Sequence, residues 1–492
     1  SPFLKKIFCN GSAVSWINRM NRQNRRYLGL SALTMGLCLM SCNDDNTPSY
    51  SQTTMKNSEL KTILQQKGYQ FNEQGNLLLD DLANNTTTLD LSGTKLSDLS
   101  ELDILPNLTE VKLSDNDYGP VFDFSKLPKQ ITGIDLTGND IYDYDNLVNV
   151  VVEENGNETV TNLHDITKLY LPRTAKDNIK DLVRFYIKNK DAITNGKIDM
   201  KIKDESGTLQ TYTTLREVPD ENLRTYLQAN FSDLFNGDQI DLSKHLGYAQ
   251  KTTILLIQAN AGVTNFEGIQ YIIQNPYWEG AAVALYSAAQ SGANMPSVKL
   301  GKYVTNLVLN NLNVRSLDLS NAGSLFVLNI GTVAGLSTLD LTHTIWGQRE
   351  KEIEAEESKG SYLIVYDCPS LKEIKLPKKD ELKTCFLDLE CLDALETFDI
   401  SNLKMVKNLI FGNLPENFNL VYPELTVFYS PEGRSATSFC CSESTFNRES
   451  TKTFLDRYYT KGTGVEKLGF SISMSCNKND GYNWRKALKK KS

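Results

Sequence analysis

The chain has 492 residues, of which 40% are hydrophobic and 23% charged, and a net charge of −8. Such proportions belong to a folded body, long enough for several domains or for one extended array of repeats with caps. Positions 1–41 hold six basic residues and no acidic one, which leaves −14 on the remainder. A body so acidic excludes general nucleic-acid binding, because phosphate contacts need clustered Lys and Arg.

In chain order, the first readable element is an address. Met20 is followed by Arg22, Arg25 and Arg26, then by an apolar stretch from Tyr27 to Met40 that is too short to span a bilayer comfortably. This order predicts a leader over 1–41, with a signal peptide starting at Met20. The stretch ends in Leu39-Met40-Ser41-Cys42, which resembles a bacterial lipobox. The resemblance implies that Cys42 is acylated, for instance with palmitate, and becomes the mature N-terminus. Acyl chains there would hold the protein at a membrane with no transmembrane helix. The following Asn43-Asp44-Asp45 is similar to the acidic sorting signal of Bacteroidetes surface lipoproteins, which implies a place on the outward side of the outer membrane. The Asn-, Ser- and Thr-rich residues 42–56 read as a polar tether.

Two modules of like plan follow. The first, 57–190, opens with a helical pattern on Leu60, Ile63 and Leu64. Its repeats are Leu89-Asp90-Leu91, Val111-Lys112-Leu113 and Ile134-Asp135-Leu136, spaced 22 and 23 residues apart, and then Leu169-Tyr170-Leu171. Asn116 and Asn139 stand three residues after their strands, where an amide can satisfy backbone groups of neighbouring turns. An amphipathic helix through Ile179, Leu182, Val183 and Tyr186 closes the module. Residues 191–215 read as a linker with a small hairpin at Glu205-Ser206-Gly207. The second cap and its connection take 216–303, from Val218-Pro219-Asp220 through a helix on Leu223, Tyr226 and Leu227.

The main repeats, 304–430, beat at Leu307–Leu309, Leu317–Leu319, Leu328–Ile330 and Leu339–Leu341. A leucine pair at a fixed period of 20–29 residues marks a leucine-rich-repeat solenoid. Two registers interleave. One runs Leu309, Ile330, Tyr366, Leu389, Phe411, and the other Leu319, Leu341, Leu376, Ile400. Each unit would then carry a strand on both broad sides. Residues 431–492 would cap the open end with a helix near 449–459, a strand at 468–474 and a basic tail. The expected fold class is an α/β repeat: a leucine-rich-repeat solenoid of short parallel strands with helical N-terminal caps and a small α+β C-terminal cap.

The stretch from Val218-Pro219-Asp220-Glu221-Asn222-Leu223 through Asn265-Phe266-Glu267-Gly268-Ile269 resembles the cap of internalin-like and Bacteroidetes leucine-rich-repeat surface lipoproteins. In that family a helix and a calcium-loop-like turn precede the repeats. The resemblance implies a cell-surface protein that recognises macromolecules, without assigning a ligand.

No reaction centre stands out. The turn before Ile240 would place Asp233, Phe235, Gly237 and Lys244 at calcium-loop positions, and the one before Asp81 would place Gln70, Asn72, Gln74 and Gly75 there. These residues suit a turn that has lost its ion. His164, His245 and His343 lie on separate segments, and no zinc, nucleophile-elbow or phosphate-loop motif occurs. The expectation is therefore no cofactor, no metal and no catalysis. Of the cysteines, Cys368 and Cys391 occupy ladder positions as thiols, while Cys440 or Cys441 with Cys476 could staple the end cap.

The function expected is binding of a protein or a glycan at the cell surface. Outward candidates on the repeat strands are Lys112, Asp135, Tyr170, Asp318, Asp340, Lys375 and Asp399, an Asp-rich stripe that would steer cationic partners. Trp346, in a charged insertion at 344–361, is a further candidate for an exposed contact residue. A scaffold subunit of an outer-membrane complex is the alternative, and a hydrolase a third.

Overall fold

The computed structural model describes residues 47–244, 254–349 and 360–412, and beyond them 414–415, 418–421 and the strand positions 427–428, 438–442 and 471–475. Cys42 and the leader, His245, Cys476, the helix expected near 449–459 and the basic tail lie outside these residues. The chain forms a mixed α/β structure with a long parallel sheet and few helices. It divides into two compact units: residues up to Leu89 with Leu96–Thr109, and Asp90–Lys95 with everything from Glu110 onward.

In the first unit, the helix Ser58–Gln66 starts where Asn57 Oδ1 accepts the Leu60 N–H at 3.0 Å, and it buries Leu60 and Leu64. The Asn57 N–H itself donates to the Glu101 carboxylate at 2.7 Å. Residues Tyr50–Thr54, inside the expected tether, are instead an edge strand antiparallel to Asn76–Leu78. Asn76 Nδ2 donates to the Ser51 carbonyl at 2.7 Å, so pairing partners decide what composition left open.

In the second unit, Glu110–Lys112, Gly133–Asp135, Lys168–Leu171 and Asp199–Lys203 pair side by side in parallel, and Leu209–Thr211 returns antiparallel. The expected linker 191–215 therefore extends a sheet. Its alternating Met200-Lys201-Ile202-Lys203 buries Met200, and Asp204 closes the hairpin by accepting N–H bonds from Ser206 and Thr208. Asn116 and Asn139 are buried and bond the backbone in both directions. Asn139 Nδ2 donates to Leu113 and Leu136 carbonyls at 3.0 and 2.9 Å, and Asn116 Nδ2 to Leu91 and Leu113 at 3.1 Å.

Asp220 caps the helix Glu221–Asn230 by accepting the Leu223 N–H, and its second oxygen accepts those of Thr264 and Asn265. Pro219 thus stands just before the cap rather than in the first turn. The hairpin Phe235–Asn236 with Gln239–Asp241 follows, with Gly237 at φ 63°. Lys244 Nζ donates to the Phe235 carbonyl at 2.7 Å. An ammonium thus occupies the neighbourhood where a calcium loop would hold its ion.

The long sheet runs Ile254–Ile257, Ala282–Tyr286, Asn306–Val314, Val327–Ala334, Tyr362–Tyr366, Leu382–Glu390, Leu403–Gly412, all parallel. Separate short parallel pairs are Val298–Lys299 with Leu317–Asp318, Thr338–Asp340 with Glu373–Lys375, and Thr397–Asp399 with Asn419–Val421. Leu309, Ile330, Leu389 and Phe411 align as one buried column. Its member on the intervening strand is Val365, one residue before the expected Tyr366. The slip follows from the pleat. Leu363 and Val365 both turn inward, so Tyr366 must turn out, and Asp367 rather than Cys368 takes the left-handed turn position, at φ 51°. Cys368 is buried all the same, with a free thiol 3.4 Å from the Tyr366 carbonyl.

Candidate ligand-binding face

The acidic stripe is built from a repeated local device. Asp-x-Ser and Asp-x-Thr recur at strand ends, and the Asp carboxylate accepts the backbone N–H two residues on. The distances are 3.0 Å at Asp135–Thr137, 2.9 Å at Asp318–Ser320, 2.9 Å at Asp340–Thr342 and 2.8 Å at Asp399–Ser401. At Asp135 and Asp340 the Thr hydroxyl donates as well. These carboxylates close turns. Nor is the stripe uniformly acidic. Lys299 stands beside Asp318 at 3.9 Å, and Lys375 is the register partner of Asp340 and lies 3.7 Å from Glu373. Burial would raise the Asp340 carboxyl, but Thr342, aided by Lys375 and His343, holds it below its ordinary value.

Lys112, Asp135 and Tyr170 are brought together in one row across the first sheet, continued by Lys201. The neighbouring row is Glu110, Gly133, Lys168 and Asp199. Because Gly133 has no side chain, Lys168 and Glu110 meet over it at 2.5 Å. Tyr170 donates its hydroxyl to Asp199 at 2.6 Å, which, with burial, pushes the phenol up to about 12. Lys168 and Lys201 sit 4.5 and 5.5 Å from the Tyr170 ring centre. Within these rows Lys168 pairs with Glu110 and Lys201 lies 3.8 Å from Asp199.

Trp346 is not an exposed contact residue. It is fully buried in the core that the long sheet closes, so it anchors the start of its insertion. The Ser361 hydroxyl accepts the N–H of the next residue, Gly347, at 2.8 Å. Cys441 lies on the strand Ser438–Ser442, and its pairing with Cys476 falls outside the described residues. His164 is buried with Nε2 2.6 Å from the Ile131 carbonyl, which makes it a structural group, and His343 is exposed.

The outward side of the long sheet was overlooked by a reading that followed leucines. Its central columns, in register, are Asn306, Val327, Tyr362 and Phe386, then Val308, Asn329, Ile364 and Asp388, then Tyr286, Asn310, Gly331, Tyr366 and Glu390. All but Gly331 are half-buried. The signal was present as the residues between the buried leucines. Tyr362 and Phe386 stack at 5.9 Å and 9°. Tyr366 lies across Gly331. A Cβ at 331 would stand 2.1 Å from Tyr366 Cζ, and the Tyr366 hydroxyl accepts from Asn310 Nδ2 at 2.7 Å. Burial, then the nearby Glu390 carboxylate, pushes the Asp388 carboxyl up to about 7.

No protein-family model, curated protein or solved structure matches this chain.

A cleft of about 650 Å³ in the second unit is lined by Tyr142, Lys180, Trp278, Lys299, Tyr303 and Asp318 among others. Among the described residues, no group of three His, Cys, Asp or Glu could hold a metal ion, and no helix is long and apolar enough to cross a membrane.

Proposed function

We propose that this chain is a surface lipoprotein that recognises a protein or a glycan, without catalysis, on the outward side of its long parallel sheet. The observation that carries the reading is the composition of that side, where aromatic, amide and carboxylate side chains line up in columns over adjacent strands. Aromatic rings bury large areas at small conformational cost, and amides beside them supply directed hydrogen bonds. The strand ends bearing Asp318, Asp340 and Asp399 take the role of turn closure in this account, which moves the binding surface to the long sheet.

The finer architecture belongs to the same proposal. Leucine triplets at 22- and 23-residue spacing, Asn116 and Asn139 bonding successive turns, and short parallel pairs separate from a long sheet favour a leucine-rich-repeat solenoid. Acylation of Cys42 would fix the protein to the outer face of the outer membrane. A fatty-acid probe tests the anchor: Cys42→Ala should abolish labelling, and unchanged labelling refutes it. Binding is tested by presenting the full chain to a glycan array and to purified surface proteins. Saturable binding that weakens when Tyr362 and Phe386 are both changed to Ala supports the reading. Binding insensitive to that pair, or none at all alongside stoichiometric copurification of membrane proteins, replaces it with a scaffold role.

A further inference from the structure

We infer that Tyr366, held over Gly331 and flanked by Asn310 and Glu390, is the floor of a subsite for one pyranose ring of a neutral glycan; the inference rests on the recognition reading above and names its ligand class. Three features converge. First, the Tyr366 side chain runs along the sheet instead of standing out from it. Its tip fills the place of a side chain at 331, only 2.1 Å from where a Cβ would be, which requires the glycine. Second, Asn310 Nδ2 pins the hydroxyl at 2.7 Å, so the ring is set before any ligand arrives. Preorganisation of this kind lowers the entropic cost of binding. Third, Glu390 follows Tyr366 in the row and is itself followed by Gly412, with Asp388 beside Glu390 on the same strand and the same side.

A pyranose ring offers an apolar C–H face and a rim of hydroxyls. The C–H face suits a recumbent aromatic ring, and the hydroxyls suit carboxylate and amide acceptors, with hydrogen bonds to an ionised acceptor the stronger ones. The two carboxyl groups disfavour uronates and sulfated sugars by like-charge repulsion, which makes the class neutral. Adjacent strands stand about 4.8 Å apart, close to the advance per residue of an extended pyranose polymer. Tyr286 in the same row, two strands from Gly331, can therefore meet a further residue of the same ligand.

The test is affinity electrophoresis of the full chain through gels holding starch, mannan, xylan or mixed-linkage β-glucan, with alginate as the anionic comparison. At least one neutral polymer should retard the protein and alginate should not. Tyr366→Ala and Gly331→Ala should each weaken that retardation about tenfold or more. The glycine change does so by displacing the ring and its hydroxyl without removing any polar group. Asn310→Ala, which only releases the pin, should weaken it less and serves as the readout if either first variant melts early. Retardation equal to wild type in all three variants, preference for alginate, or binding to a purified protein with no neutral polymer bound overturns the subsite while the recognition reading stands. Failure to bind any glycan or protein removes both.

Discussion

Asn139 reaches back to Asn116: its side-chain oxygen accepts the Asn116 backbone N–H at 2.9 Å, deep in the second unit. The same oxygen accepts the Tyr118 N–H at 3.1 Å, and the amide nitrogen serves Leu113 and Leu136. With a longer bond to the Thr137 carbonyl at 3.4 Å, one buried side chain thus reaches five backbone groups.

Asn139→Ala removes these bonds at once, although the Leu113 carbonyl keeps its bond from Asn116 Nδ2. Each buried unsatisfied group costs about 1–3 kcal/mol, part of which relaxation recovers, so a loss of about 3 kcal/mol is expected. Urea denaturation followed by circular dichroism measures it. A change below about 0.5 kcal/mol would show that water or a shifted backbone replaces the ladder.

Asp340 provides a pH signature. Its folded carboxyl is held below the ordinary value near 3.8, so the unfolded chain binds its proton more readily. The stabilisation is present above about pH 4 and is lost as pH falls through the lowered folded value. Asp340→Ala should destabilise by about 1 kcal/mol at pH 7, in the range of a lost capping interaction, and by less at pH 3. Melting curves at the two pH values decide it; an equal loss at both contradicts the turn-closing role.

Asp388 has the opposite sign. Burial and Glu390 raise its folded pKa to about 7, above the ordinary 3.8. The folded state holds this proton more tightly, so its contribution is full below about pH 4 and fades as pH rises through 7. Asp388→Asn should therefore be less stable than wild type at pH 5 and should approach or exceed it at pH 8. Thermal melts across that window are the check, and parallel curves for the two proteins would count against a shared proton.

Trp346→Ala should cost about 3–5 kcal/mol, the range for emptying an aromatic site in a packed core, while leaving glycan or protein binding intact at a temperature where the variant stays folded. Loss of binding with the fold retained would return Trp346 to the ligand surface.

The buried columns of the parallel sheet were legible because inward apolar residues recur from strand to strand. The column Leu309–Ile330 and the Asn116 and Asn139 ladder sit where spacing predicted a buried or backbone-bonding residue, whereas Asp220 is the helix cap itself, a role the sequence reading gave to no residue. Tyr366 shows the limit. An apolar run reads equally well in two registers until Leu363 and Val365 commit inward.

Sequence alone determined most of the inward leucine positions, since burial of apolar surface at a fixed period leaves little choice. It also set the acidic balance of the body. Only the tertiary structure decided what the outward residues do. Tyr366, Gly331 and Asn310 are 56 residues apart from first to last and become a single row through parallel pairing. The 318, 340 and 399 carboxylates were spent on their own turns, and Trp346 went into the core. Outward positions carry no periodic energetic requirement, so their partners are set by register and by neighbours far away in the chain.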